Sequence, residues 1–217
     1  MVRFDAEKGA SYKAQAMEEL TALGVTFPVE VDYWIAGGNQ TALDNATVLK
    51  DAFSKYLGDD YVTLNICTYI SSSAKEVRDP GYHSIGIMGW TADYGDPQNQ
   101  LGQLMFGYDN AYFAKNWHRI NMADGVENSK AVVDAYKEFT ALVEAANAVT
   151  GDLDARYKAY AEAEAYLIDH CLTIPAYRNQ PLCLTKIDIA SKPYALFGGL
   201  NNKMKNWETN SDGYTEA

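Results

Sequence analysis

A strand–helix–strand pattern in the first third of the chain constrains the fold more than any other feature. The alternating segment 29–34 is followed by a Gly-Gly-Asn loop, a helical pattern over about 41–57 and a second strand pattern over 61–69. A helix that joins two strands in this way normally makes a right-handed crossover between parallel neighbours. The chain is therefore predicted to adopt an α/β fold with parallel strands.

Three further helices are predicted from the helical spacing of apolar side chains, over 5–23, 127–147 and 152–170. The first of these ends at Gly24, and either Asp152 or Asp154 caps the last one. The remaining segments are predicted as a loop with room for one helical turn (71–83), short helices and loops (98–124), a short edge strand (173–177) and a further strand (182–189).

The stretch from Ser84 to Pro97 combines a predicted strand with several polar and aromatic side chains. Ile85 to Met88 is a short apolar run that suits a strand buried on both faces, and Gly89 ends it. An indole and several loop carboxylates follow, and ligands gather beyond the carboxyl ends of strands in open α/β sheets. The stretch is therefore a candidate ligand-binding edge, with core packing of the tryptophan and solvation of the carboxylates as the alternative.

Composition and charge exclude some classes of partner. The net charge is −11, and no cluster of lysine and arginine suggests binding to nucleic acid or to an anionic membrane surface. Sixteen tyrosines and four tryptophans supply amphipathic contact surface that suits binding clefts as well as cores. A cationic small ligand therefore fits the composition better than nucleic acid does.

Motifs for catalysis or metal binding are missing from the sequence. The three histidines are scattered, and there is neither a Gly-x-Ser-x-Gly elbow nor a phosphate-binding glycine-rich loop. Cys67, Cys171 and Cys183 match neither a zinc site nor a disulfide framework. Three buried thiols are favoured over a Cys171–Cys183 bridge. The prediction is a protein with no catalytic residues, no metal and no cofactor.

Three stretches, in their order along the chain, are similar to a known family. They are Glu18–Val25 followed by Pro28, then Gly89-Trp90-Thr91-Ala92-Asp93-Tyr94 with Asp96-Pro97, then Arg156–Glu164 leading to Ile174-Pro175-Ala176-Tyr177. In this order they resemble the C-terminal lobe of the bacterial peptide-binding proteins of ABC importers, the extracellular solute-binding proteins of family 5. The similarity extends over nearly the whole chain.

The resemblance implies a fold, a location and partners. It implies a periplasmic-binding-protein-like lobe over 1–191, with a mixed, mostly parallel sheet flanked by helices, and a tail over 192–217 that returns to an N-terminal lobe. The chain is then expected to be one excised lobe of an extracytoplasmic protein, held in the periplasm or on the surface as a lipoprotein. Expected partners are a short peptide, the N-terminal lobe and a membrane permease.

The resemblance also implies roles for individual residues. Asp93 is similar to the residue that holds the α-amino group of the peptide, and the backbone of Gly89, Trp90 and Thr91 would pair with the extended peptide. Loop position alone adds candidate pocket residues, for each of which a core or surface role is the alternative; they are Trp34, Asn39 and Tyr108. Alternatives within the family are a different solute (a dipeptide, a nickel chelate, haem or a sugar) and a receptor for a signalling peptide. Residues 71–83 match no pattern of the family.

Overall fold

The computed structural model describes residues 5–87, 89–108, 111, 130–176, 185–192 and 204–209. The chain divides into two compact units, Met1–Met88 and Gly89–Ala217. The elements of the first unit are α1 (Ala6–Ala22), β1 (Val29–Ala36), α2 (Gln40–Leu57) and β2 (Val62–Tyr69). Those of the second are α3 (Gln98–Leu101), α4 (Lys130–Ala148) and α5 (Leu153–Asp169).

The first unit is built on the predicted strand–helix–strand pattern. Strands β1 and β2 pair in parallel, with Val29 opposite Val62 and Ala36 opposite Tyr69. One face of this sheet packs on α2, and the core there consists of Tyr33, Ile35, Ala46 and Leu64. Parallel pairing across the α2 connection is therefore confirmed.

Local signals set the ends of α1 and the inward face of α2. Asp5 caps α1 by accepting a hydrogen bond from the Lys8 backbone N–H, and Gly24 follows the helix with a positive φ of 81°. The inward face of α2 consists of Ala42, Ala46, Leu49 and Phe53, which follow the helical spacing. Leu43 is 41% exposed because it lies one position away from this stripe.

The strand predicted at Ile85–Met88 is not formed over its described part. Only Ile85 bridges to the sheet, in parallel with Tyr33, and Ile87 is 56% exposed. Beside this bridge, the Ser84 hydroxyl accepts the hydrogen bond of the Asp32 backbone N–H at 3.1 Å. The described residues of the first unit therefore contain a two-stranded sheet with one additional bridge.

The second unit has a helical core. Its buried residues come from α4, α5 and the segment that begins with α3, and they are Leu101, Met105, Phe139, Val143, Ala146, Tyr160, Ala163 and Leu167. Both long helices match the predicted spans, although residues 127–129 lie outside the described ranges. Asp152, not Asp154, caps α5 by accepting a hydrogen bond from the Ala155 N–H. Asp154 lies inside the first turn of that helix.

Two predicted strands near the end of the chain, 173–177 and 182–189, are not found as strands in their described residues. Residues 173–176 have no regular structure, and Ile174 is 82% exposed. Pro175 offers no N–H to a ladder, and no described strand lies beside it. Within 182–189 the described residues contain a single antiparallel bridge from Ile187 to Thr209, and a 3₁₀ turn follows at Ile189–Ser191. The predicted lobe–tail boundary at residues 191 and 192 stays a prediction.

Cysteine exposure differs from the expectation. Cys67 is half-buried, whereas Cys171 is an exposed free thiol because it lies just beyond the end of α5. The prediction of three buried thiols is therefore wrong for Cys171, and Cys183 lies outside the described residues. No helix in the described ranges is both long and apolar enough to cross a membrane. Within the same ranges, no group of histidine, cysteine and acidic side chains could hold a metal ion.

Candidate functional site

The loop that carries the predicted ligand-binding residues is organised around one buried amide. Asn99 is only 6% exposed, and its side-chain oxygen accepts hydrogen bonds from the Trp90 indole at 2.7 Å and from the Asp93 backbone N–H at 3.0 Å. Its side-chain nitrogen donates to Oδ2 of Asp93 at 3.4 Å. Gly89, Thr91 and Asp93 are exposed, and the Trp90 carbonyl accepts from the Gln100 side chain at 3.5 Å.

The short helix α3 holds Asn99 in place. Asp96 begins this segment: its carboxylate accepts from the Gln98 N–H at 2.9 Å, and its carbonyl accepts from the Asn99 N–H at 3.0 Å. Pro97, which has no N–H to satisfy, suits the first position of such a turn. Leu101 at the other end enters the core. The loop is thereby fixed to the packed part of the second unit.

Arg156 ties this segment to both long helices. Its Nε donates to the Asp96 carboxylate at 2.9 Å, and another guanidinium nitrogen donates to three carbonyls at the end of α4, those of Ala146, Asn147 and Val149. The remaining nitrogen donates to the Tyr160 hydroxyl at 2.6 Å. A planar, forked donor group is well suited to satisfying several acceptors at once, and it also complements the negative end of the α4 dipole.

Electrostatics separate the roles of the two loop carboxylates. Burial opposes ionisation of Asp96, but the hydrogen bonds from Arg156 and from the Gln98 backbone outweigh it and lower the pKa of Asp96. Burial, followed by the hydrogen bond and negative charge of Asp96, raises the pKa of Tyr160 to about 12. Near neutral pH, Asp96 therefore serves as a charged structural partner of Arg156, whereas Asp93 is exposed.

The loop after β2 is also held by a single side chain, a feature that the sequence did not suggest. The Glu76 carboxylate accepts hydrogen bonds from three successive backbone N–H groups, those of Ile70, Ser71 and Ser72, at 3.0, 2.8 and 2.7 Å. These backbone hydrogen bonds lower the pKa of Glu76 to about 2. The segment predicted as a loop with room for one helical turn indeed contains one, a π-type turn at Ala74–Arg78.

The structure brings some of the predicted site residues together and places others in local roles. Trp90 and Asp93 meet through Asn99, as described above. Trp34, in the first unit, is half-buried and donates its indole N–H to the Tyr82 carbonyl at 3.2 Å. Asn39 caps α2 by accepting from the Ala42 N–H at 3.0 Å. Tyr108 is 38% exposed. A role for these last three in binding stays a prediction.

Two residues that shape the site were not predicted to do so. Arg156 lies in the third stretch that resembles the family, and that position was the available signal for its role. Asn99 offered no such signal, because its three hydrogen bonds depend on how the preceding ten residues turn back on α3.

Several curated proteins similar to this chain are described as oligopeptide-binding proteins. The chain is 30% identical over 217 residues to the oligopeptide-binding protein SarA of Streptococcus gordonii, a match that covers 94% of this chain and 31% of that protein. This chain is a homologue of the bacterial oligopeptide-binding proteins. The resemblance found in the sequence is therefore confirmed. The chain spans about a third of the length of the curated relatives it matches, and no family model matches it.

Solved structures of oligopeptide-binding proteins share the fold. The substrate-binding domain of an oligopeptide ABC transporter from Bacillus anthracis str. Ames matches with a TM-score of 0.56 at 20% identity, covering 77% of this chain and 27% of that one. A peptide-binding protein of a peptide ABC transporter matches with the same TM-score at 22% identity, covering 77% and 63%. The α/β, periplasmic-binding-protein-like fold is thereby confirmed.

Proposed function

We propose that this chain is the C-terminal lobe of a solute-binding protein of an ABC importer, and that it binds short peptides in an extended conformation. Its similarity to an oligopeptide-binding protein over 94% of its length supports this proposal. The observation that carries the proposal is the exposed Asp93, which stands on a loop where Asn99 holds the Trp90 indole and the Asp93 backbone.

Asp93 has the chemistry to recognise the amino terminus of a peptide. An ammonium group that leaves water for a binding cleft requires an opposite charge nearby, because its desolvation is otherwise costly. In a closed cleft the attraction between ammonium and carboxylate is also less screened than at an open surface. A free amino terminus is therefore the part of the ligand that Asp93 would select.

The backbone beside Asp93 provides the second part of the proposed recognition. Gly89 and Thr91 are exposed, and an extended peptide could pair with the backbone between them as an added strand. Hydrogen bonds to the main chain of a peptide do not depend on which side chains the peptide carries. Such a site would bind many peptide sequences with little preference among them.

Binding in the proposed mechanism occurs without bond making or breaking. A second, N-terminal lobe closes over the peptide by a hinge motion, and the closed form is recognised by a membrane permease. The protein would act outside the cytoplasm, in the periplasm or as a surface lipoprotein. The binding free energy is then divided between contacts with the peptide and closure of the lobes.

A calorimetric titration of the complete protein that contains this chain tests the proposal. The ligands are trialanine and pentaalanine, each with a free and with an N-acetylated amino terminus. We expect the free peptides to bind at least about tenfold more tightly, since a hydrogen-bonded charge pair is worth about 1.5–3 kcal/mol. Asp93→Asn should remove that preference, whereas Asp51→Asn, which removes the same charge from an exposed position on α2, should keep it.

The same titration has outcomes that would overturn the proposal. An equal affinity for free and acetylated peptides would exclude Asp93 as the anchor of the amino terminus. Binding of a nickel chelate, haem or a sugar in place of the free peptides would exclude peptides as the ligand class. A preference that survives in Asp93→Asn would assign the amino terminus to another residue.

A further inference from the structure

We propose that Asn99 is a positioning residue that presets the Trp90–Asp93 loop before a ligand arrives. It acts through the loop and does not touch the peptide. This inference rests on the proposed function of Asp93, and it adds the residue that sets the orientation of the Asp93 carboxylate.

Asn99 has the combination of donor and acceptor that this role needs. Its amide oxygen accepts from Trp90 and from the Asp93 backbone, which occupies both lone pairs, and its amide nitrogen faces the Asp93 carboxylate. Aspartate at this position would keep the two accepted bonds but would place two carboxylates against each other. Alanine would leave the half-buried indole N–H and the loop backbone without this partner.

The position of Asn99 is fixed from the side of the core. Its backbone carbonyl accepts from the buried Gln103 side chain at 3.1 Å, and its backbone N–H donates to Asp96 at 3.0 Å. Asp96 is in turn held by Arg156 at 2.9 Å. The Asn99 amide is therefore a rigid support, and the loop is the part that adapts to it.

The geometry sets the Asp93 carboxylate without covering it. The hydrogen bond from Asn99 uses Oδ2 of Asp93, and the Asp93 side chain remains exposed. A carboxylate and a backbone that are already ordered lose less conformational entropy on binding than a mobile loop does. The affinity for a free amino terminus should therefore depend on Asn99 even though the ligand makes no contact with it.

Hydrogen exchange of the Trp90 indole N–H in the complete protein that contains this chain tests the positioning directly. We expect this proton to exchange slowly in the wild type and in Asn99→Asp, which keeps the acceptor oxygen. It should exchange at least about tenfold faster in Asn99→Ala. Asn65→Ala is the matched control, because it removes another half-buried, hydrogen-bonded asparagine amide, on β2 of the first unit, without removing the acceptor of the indole. Slow exchange in Asn99→Ala would overturn the inference.

A double-mutant cycle in the same protein tests whether Asn99 acts through Asp93. The readout is the ratio of trialanine affinity to N-acetyl-trialanine affinity. Asn99→Ala should lower this ratio about fivefold to tenfold, and it should have no further effect in an Asp93→Asn background. A lowered ratio in Asn65→Ala as well, or additive losses in the double variant, would reduce Asn99 to a general structural residue and overturn the inference.

These results separate the inference from the proposed function. A wild-type protein that shows no preference for the free amino terminus contradicts the role of Asp93, and indole exchange still decides whether Asn99 sets the loop. A preference that disappears in Asp93→Asn but persists in Asn99→Ala supports the proposed function and contradicts the inference.

Discussion

The two compact units each contain a loop that is closed by a single side chain, but the chemistry of the closing group differs. In the first unit the Glu76 carboxylate accepts hydrogen bonds from the successive N–H groups of residues 70–72. In the second unit the neutral Asn99 amide accepts from the Trp90 indole and the Asp93 backbone. We call Glu76 the charged clamp and Asn99 the neutral clamp, because one loop is held by an ionised carboxylate and the other by an uncharged amide.

This difference has a consequence for binding. The negative charge of Glu76 is stabilised by backbone N–H donors of its own loop, and these hydrogen bonds lower the pKa of Glu76 to about 2. The loop at Asn99 is closed by a neutral amide, which places no second negative charge beside the carboxylate that we propose as the ligand anchor, Asp93. A loop that presents a charged group is thus best held by a neutral clamp, because a second carboxylate beside Asp93 would repel the first.

The largest effect on stability is expected from replacing Arg156, which supports Asn99 through Asp96. Arg156→Met removes the partner of Asp96 together with the donors to three carbonyls at the end of α4. We expect the Tm at pH 7 to fall by about 6 °C. Differential scanning calorimetry measures this change. Arg156→Lys, which keeps the charge but not the forked geometry, should give a smaller decrease. An unchanged Tm in Arg156→Met would show that the loop does not depend on this support.

The charged clamp should give a smaller effect that depends on pH. Glu76→Gln should lower the Tm at pH 7 by about 4 °C, because a neutral amide oxygen accepts more weakly than a carboxylate. The folded state lowers the Glu76 pKa from its ordinary 4.5 to about 2. Its stabilisation is therefore complete above pH 4.5 and is lost as the pH falls towards 2.

Urea unfolding at several pH values between 2 and 7 measures this dependence. The midpoints of wild type and Glu76→Gln should converge at the acid end. Glu162→Gln, which removes the charge of an exposed residue on α5, is the matched control and should follow the wild type. Parallel curves for wild type and Glu76→Gln would contradict the charged clamp.

The smallest effect concerns a second asparagine, which caps a helix instead of holding a loop. Asn39→Ala removes the hydrogen bond to the Ala42 N–H and should lower the free energy of unfolding by about 1 kcal/mol. Asn39→Ser should restore most of that loss. If capping is its whole role, the affinity for peptides stays the same in calorimetry. A tenfold weaker affinity would place Asn39 in the binding site and remove its contrast with Asn99.

Those parts of the fold that depend on local periodicity could be predicted from the sequence. The strand–helix–strand unit and the spans of α1, α2, α4 and α5 follow from hydrophobic spacing and capping residues, and their ends were correct to within about three residues. The strands predicted at 85–88 and 173–177 failed where the structure describes them, because a strand needs a partner and the sequence of a single segment does not say whether one is present.

The candidate site was predictable only in its named motif. Asp93 and Trp90 stand within a recognisable stretch, whereas Asn99, Glu76 and Arg156 act through side-chain hydrogen bonds that close only after the chain has turned. Such contacts leave no periodic pattern in the sequence from which they could be predicted. Arg156 bonds to Asp96, which lies 60 positions earlier, so no window of neighbouring residues could have paired them.

The most direct test of the central claim is an amide chemical-shift titration of the 217-residue chain with short peptides. One pool has free amino termini, and the other has the same peptides N-acetylated. The account predicts shifts that cluster at residues 89–93 with the free pool and that are lost with the acetylated pool. Equal shifts from both pools, or shifts confined to other residues, would contradict the capture of a peptide amino terminus by Asp93.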